Sequence, residues 1–205
     1  MNLGTATNFA VLAATPVLSN TGPTQILTGD IGISPAASIT GFGPGVVVAG
    51  AQHPNDGVAQ SAHADAQIAF TDAFNRPSQP LPVADVGGHT YGPGVYRAAS
   101  TLGITGTVTL DGTGFPNAVY IFQVPTSLTT ATTNSNVALI NVNPCNVFWV
   151  TGAAATLGTF TNFKGTIISQ TAITINTGVN MVGRALDTGA SVSLDSDTIT
   201  IPPGP

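Results

Sequence analysis

The chain has no glutamate, one lysine (Lys164), three arginines (Arg76, Arg97 and Arg184) and one cysteine in 205 residues. Charged residues make up 6% of it and the formal net charge is -5, against a charged share of about 25% in ordinary domains. Each scarcity closes off a class of function. Four cations do not make the basic footprint that phosphate backbones require, so nucleic acid is excluded as a partner. The same shortage argues against anionic lipid. No apolar run approaches the roughly 18 to 20 residues that span a bilayer, which excludes membrane insertion. A single Cys145 rules out an internal disulfide; with no cation beside it in sequence it reads as a small buried hydrophobe. His53, His63 and His89 are dispersed, leaving no metal-ligand spacing and no cofactor motif. The first 17 residues lack a basic region and Pro16 interrupts their apolar patch, so they are not a secretory signal. The low-charge, threonine-rich composition reads as that of an exported protein whose signal has been removed, with Met1 an added start residue.

What is present is 30 threonines, 24 glycines, 15 prolines and a hydrophobic share of 42%. That is an ample core for one domain spanning residues 1–205, and threonine, glycine and proline suit strands and turns. One stretch differs. From Asn55 to Asn75 apolar residues (Val58, Ala62, Ala66, Ala69, Phe70, Ala73, Phe74) recur at spacings of three and four, which predicts a long helix. Asn55 or Asp56 is placed to cap it, and Arg76-Pro77 ends it.

After residue 94 the chain is strand and turn to about residue 201, and it repeats. YRAASTLGI, FQVPTSLTT, FWVTGAAATL, ISQTAITIN and ALDTGASVSL align as five successive turns. Their central residues Gly103, Thr129, Thr156, Thr174 and Ser193 are spaced 26, 27, 18 and 19 residues apart, the mark of a β-solenoid whose turns stack. Alternation puts the neighbours Ile173 and Ile175, or Val192 and Leu194, inside and the central residues outside. Two residues earlier runs a second outward column of small residues: Thr101, Ser127, Ala154, Ala172 and Ser191. Thr151, Thr171 and Thr188, in TGAA, TAIT and TGAS, align less evenly and read as corner residues flanking the face. Gly103 departs from the hydroxyl pattern. A flat, uncharged hydroxyl array is a poor catalytic site; it suits a ligand that is itself a lattice.

At this point the segments LGTATNFAVLA, GDIGISPAASITGFG, GPGVY, AVYIFQV, NVFWV and FKGTIIS resemble, over nearly the whole chain, the bacterial and fungal ice-binding (antifreeze) proteins of the DUF3494 type. The resemblance implies a mainly β fold, a discontinuous right-handed β-solenoid (β-helix) of triangular section with one long α-helix packed alongside. It implies that the partner is an ice crystal surface bound by one flat face, giving thermal hysteresis and inhibition of ice recrystallisation. It also implies that N-terminal strands join the solenoid out of sequence order, with Thr15, Ser19 or Thr21 adding a rung. A monomer is expected.

Two rival readings are open at this stage. Solenoids host polysaccharide-cleaving enzymes, which need clustered ionisable groups; the candidates are Asp187, Asp195 and Asp197, the last two reading as a solvated turn. An adhesive or carbohydrate-binding module is the other. Sugar platforms use exposed Trp or Tyr, and Trp149, between Phe148 and Val150, reads as buried or edge-packed with exposure at a corner as the alternative.

Overall fold

Alternating apolar residues in short β-branched segments leave each strand one buried face and a free backbone edge, and the chain satisfies both by coiling on itself. The computed structural model describes residues 1–133 and 135–204. It is a β-solenoid with one helix. Each turn contributes a strand to three walls, as in Tyr120–Val124, Leu128–Thr130 and Asn136–Ile140. Neighbouring turns pair in parallel throughout. Two walls merge into a branched 15-stranded sheet, because the long strands Asn162–Ser169 and Asn180–Asp187 bend from one wall to the next; the third wall is a separate seven-stranded sheet.

The bend has a steric cause. Gly165 and Gly183 sit in register in those two long strands, and a Cβ on Gly183 would lie 1.8 Å from the Gly165 carbonyl oxygen.

The solenoid is discontinuous. The first three strands, Phe9–Ala13, Val17–Thr21 and Gln25–Thr28, stack on the last three, Asn180–Asp187, Val192–Asp195 and Thr198–Thr200. Asp30–Ile33, Ser38–Thr40 and Val46–Val47 add another turn, and Gln52–Pro54 ends the stack. The chain must then return to the far end, where Gln79–Pro80 pairs with Gly94–Arg97. The helix Gly57–Asn75 makes that return. Its 19 residues span about 28 Å at 1.5 Å per residue, about six strand spacings of about 4.8 Å. Asp56 is the cap, accepting from the Val58 and Ala59 amides at 3.0 and 2.9 Å. Ala59, Ala62, Ala66, Ala69, Phe70 and Ala73 are buried against the sheet, whereas Val58, at the first turn, is 48% exposed. Among the described residues, no helix is long and apolar enough to cross a membrane.

Register also orders the interior. Tyr96, Phe122 and Trp149 are aligned partners on successive turns, so their rings stack, Phe122 on Trp149 at 4.3 Å and 10°. Trp149 is fully buried and its indole N–H donates to the Lys164 carbonyl at 3.1 Å. The corner exposure that a sugar platform needs is therefore absent at this residue.

Two expectations are corrected. Cys145 is half-buried, not enclosed: it lies in the short turn Pro144–Asn146, and its Sγ donates to the Pro203 carbonyl at 3.3 Å. Asp195 and Asp197 do not form a solvated pair on one side. Ser196 adopts φ 57 and turns the chain between them. Asp197, 1% exposed, accepts from the Val179 and Asp195 amides at 3.0 and 2.8 Å. Asp187 is fully buried and accepts from the Gly189 and Ala190 amides. Burial pushes their carboxyls up to about 6 (Asp187) and about 7 (Asp197), against the opposing pull of those amides.

These features set two measurements. Gly183→Ala is expected to lose about 3 kcal/mol of unfolding free energy, the upper end of the range for overpacking, while Gly92→Ala, where a Cβ meets nothing, leaves denaturant midpoints unchanged. The raised carboxyls of Asp187 and Asp197 contribute stability that is complete below their unfolded value near 4 and is lost as pH rises through 6 to 7. Burial lowers His63, which acts in the opposite sense, one group against two. The melting temperature is expected to fall from pH 5 to pH 8, and Asp197→Asn to flatten that slope.

Candidate functional site

The seven-stranded wall places the repeat residues in one line. Its in-register partners run Gly103, Thr129, Thr156, Thr174, Ser193, Ser19, Thr40. Their flanking residues Leu102, Leu128, Ala155, Leu157, Ile173, Ile175, Val192, Leu194 and Leu18 are buried, so alternation turns the line outward. Two residues earlier, Thr101, Ser127, Ala154, Ala172 and Ser191 form the second line, with Ala154 directly paired to Ala172. It continues through Val17 and Ser38, themselves paired. Seven strands at about 4.8 Å make a face about 29 Å long.

Of the three N-terminal candidates only Ser19 enters the outward line, where its hydroxyl donates to that of Ser193 at 3.2 Å. Thr15 lies in the preceding turn and Thr21 pairs with Asp195, at the face's margin. Thr40, Ser38 and Val17 belong to the face but escape a repeat search. The alternating triplet SIT carries the same signal as ITI; what hides it is that its turn precedes the helix and stacks on a neighbour from the N-terminus.

Gly103 has a physical reason. Asp85 bridges to it beyond the last turn, and its carboxylate lies 3.1 Å from where a Cβ would sit. That carboxylate accepts from the Gly87 and Thr105 amides at 2.8 and 3.0 Å. The charge blunts the open edge of the sheet, and the hydroxyl line proper begins at Thr129.

The corner set separates. Thr151 is fully buried, in register with Ser169, and its hydroxyl donates to the Ala153 carbonyl at 3.1 Å; it cannot touch a surface and leaves the flanking set. Strand Val147–Thr151 is still inside the larger sheet at that point, whereas Thr171 and Thr188 lie past the ends of theirs. Thr171 is exposed and Thr188 half-exposed. They line a shallow groove with Gly152, Gln170 and the helix residues Gln67 and Thr71.

Neither outward line carries a charge. The hydroxyls of Thr129, Thr156 and Thr174 meet no hydrogen-bonding partner among the described residues, which leaves them to water. The larger sheet's uncovered wall differs: its outward line runs Thr107, Asn136, Asn162, Asn180, Thr198, Gln25, and Lys164 and Val182 lie beside it. The third wall is under the helix. Of the carboxylates proposed for an enzyme, Asp187 and Asp197 are buried and held by backbone amides inside corners, whereas Asp195 is half-exposed and accepts from the Thr177 hydroxyl. His53 contacts Asp30 and Asp56 at 3.6 and 2.7 Å at the start of the helix, a pairing that the sequence spacing did not reveal. Among the described residues, no three His, Cys, Asp or Glu side chains are grouped to hold a metal.

Known proteins share this architecture. The family model described as Ice-binding-like matches residues 11–200. An ice-binding protein of Nostoc sp. (strain HG1) is 42% identical over 97% of this chain and 73% of its own length. One from Flavobacterium frigoris (strain PS1) is 32% identical over 98% and 76%. The crystal structure of an ice-binding protein from an Antarctic biological consortium superposes with a TM-score of 0.94 at 38% identity, covering 98% of this chain and 91% of that one. That of the Antarctic ascomycete Antarctomyces psychrotrophicus gives 0.92 at 37%, covering 99% and 98%. On the family match and on relatives that cover nearly its whole length, the chain belongs to the ice-binding-like protein family.

Proposed function

We propose that this protein adsorbs to ice through its seven-stranded face, with Thr129, Thr156, Thr174, Ser193, Ser19 and Thr40 in one line and Thr101, Ser127, Ala154, Ala172, Ser191, Val17 and Ser38 in the other. Thr171 and Thr188 flank it. The observation that carries the reading is an in-register array, seven strands long, of small hydroxyl and methyl groups without a charge.

The chemistry follows from what ice does to the water at a surface. A charge held against ice loses hydration worth several kcal/mol, whereas a hydroxyl that keeps a partner in an ordered water layer loses little. Threonine supplies both a methyl that thins local solvation and a hydroxyl that anchors water, on a β-branched stem with few rotamers. The backbone ladder fixes the spacing before contact, so little ordering is left for adsorption. Bound molecules then restrain growth of the ice between them, which gives thermal hysteresis and slows recrystallisation. No reacting group is required, so the role is that of a non-enzymatic binder. The protein works as a single chain in the water outside the cell, where crystals grow.

Thr156→Lys and Thr174→Lys are expected to lower thermal hysteresis several-fold with unchanged circular dichroism. Asn162→Lys and Asn180→Lys, on the amide-lined wall, are expected to retain it. The reverse pattern would move the ice contact to that wall, and round crystals with no hysteresis in the unaltered protein would favour an adhesive role.

A further inference from the structure

Of the nine aspartates, seven accept hydrogen bonds from main-chain amides, and Asp72 pairs with Arg76 at 2.7 Å. Asp195 has neither kind of partner among the described residues. Its carboxylate accepts from the hydroxyls of Thr177 and Ser196, which hold its pKa below the ordinary carboxylate value, so it is charged in neutral water. Its place on the wall is particular. The strands before it end at Thr130, Leu157 and Ile175, one residue past the outward line, whereas Val192–Asp195 and Val17–Thr21 each run two residues past it. Alternation then turns Asp195 and Thr21 outward: Leu194 is buried, Asp195 is half-exposed, and its in-register partner Thr21 is exposed. Asp195 therefore stands about 7 Å beyond Ser193 along the strand. The opposite long margin, where Thr171 and Thr188 meet Gln67, Thr71 and Gln170, is neutral. Asp85 lies elsewhere, at the open end of the sheet beyond Gly103.

We propose that Asp195 bounds the ice contact on this margin, keeping its own hydration and so preventing ice from extending over the Asp195–Thr21 pair; this rests on adsorption through the seven-stranded face. A carboxylate gives up its water only at a large cost, which hydroxyls alone do not offset. A neutral amide of the same size carries no such cost and keeps its hydrogen bonds in an ordered water layer. The two strands that run furthest across the wall are thus the ones on which a charge stops the contact, and one residue sets how far the face reaches.

Thermal hysteresis at equal protein concentration tests this in four variants, with circular dichroism as the check on folding. Asp195→Asn, whose amide oxygen can still accept from Thr177, is expected to raise hysteresis about two-fold, because a group that must stay hydrated has left the margin. Asp195→Thr, which sets a methyl and a hydroxyl beside Thr21, is expected to raise it at least as much. Asp72→Asn removes the same charge from the helix and is expected to change nothing, which separates a local effect from one of net charge. Thr174→Lys is the fourth variant: retained activity there would overturn the reading on which the inference rests, whereas loss there without a gain at position 195 would overturn this inference alone. An equal gain from Asp72→Asn would overturn it too, as would loss of the fold in both position 195 variants, which would make Asp195 a structural residue of the corner.

Discussion

Everything in this molecule depends on the parallel, in-register backbone ladder between successive turns. Once the amide of one turn pairs with the carbonyl of the next, equivalent residues are stacked about 4.8 Å apart, and side chains have no freedom to choose other neighbours. A one-residue slip would exchange the inside for the outside. The same ladder therefore packs Phe122 on Trp149 in the interior and lines up Thr156, Thr174 and Ser193 on the surface. The core and the face are two readouts of one register, which is why a rigid, evenly spaced surface costs the fold nothing extra.

Scarcity of charge is part of the same design. The four cations lie off the seven-stranded face, and the aspartates serve the backbone. Seven of the nine, Asp30, Asp56, Asp65, Asp85, Asp111, Asp187 and Asp197, accept hydrogen bonds from main-chain amides. Corners leave such amides without ladder partners, and a short side chain reaches amides two or three residues away. Glutamate is a methylene too long for most of these turns, a physical reason for its absence. Asp85 plays this part at the sheet's open edge, where it also fills the space above Gly103.

Much of this was legible in the sequence because it is local. The helix announced itself by spacing and by Asp56, and the triplets ATL, ITI and VSL gave the outward line and the correct register from Gly103 to Ser193. The rest depends on non-local pairing or on broken alternation. Ser19 meets Ser193 across 174 residues, and no local pattern encodes that encounter; the family resemblance supplied only the general arrangement. Thr40 lies one turn further still. At corners, residues with left-handed backbone such as Ser196 reset the alternation, so Asp197 goes inside although spacing placed it beside Asp195. Thr151 departs from the corner pattern for a related reason: it ends a strand that is still buried, while the similar-looking Thr171 and Thr188 fall beyond theirs.

A large, flat, neutral face has little to offer a small soluble ligand, which needs a concave site and a few directed polar groups. It is suited to an extended ordered solid, because small gains at many rungs add up over a rigid surface. The most direct measurement is partition of the unaltered protein between slowly growing ice and the remaining liquid. The account expects the protein to become enriched in the ice while salt stays behind. Exclusion of the protein into the liquid to the same extent as the salt would contradict it.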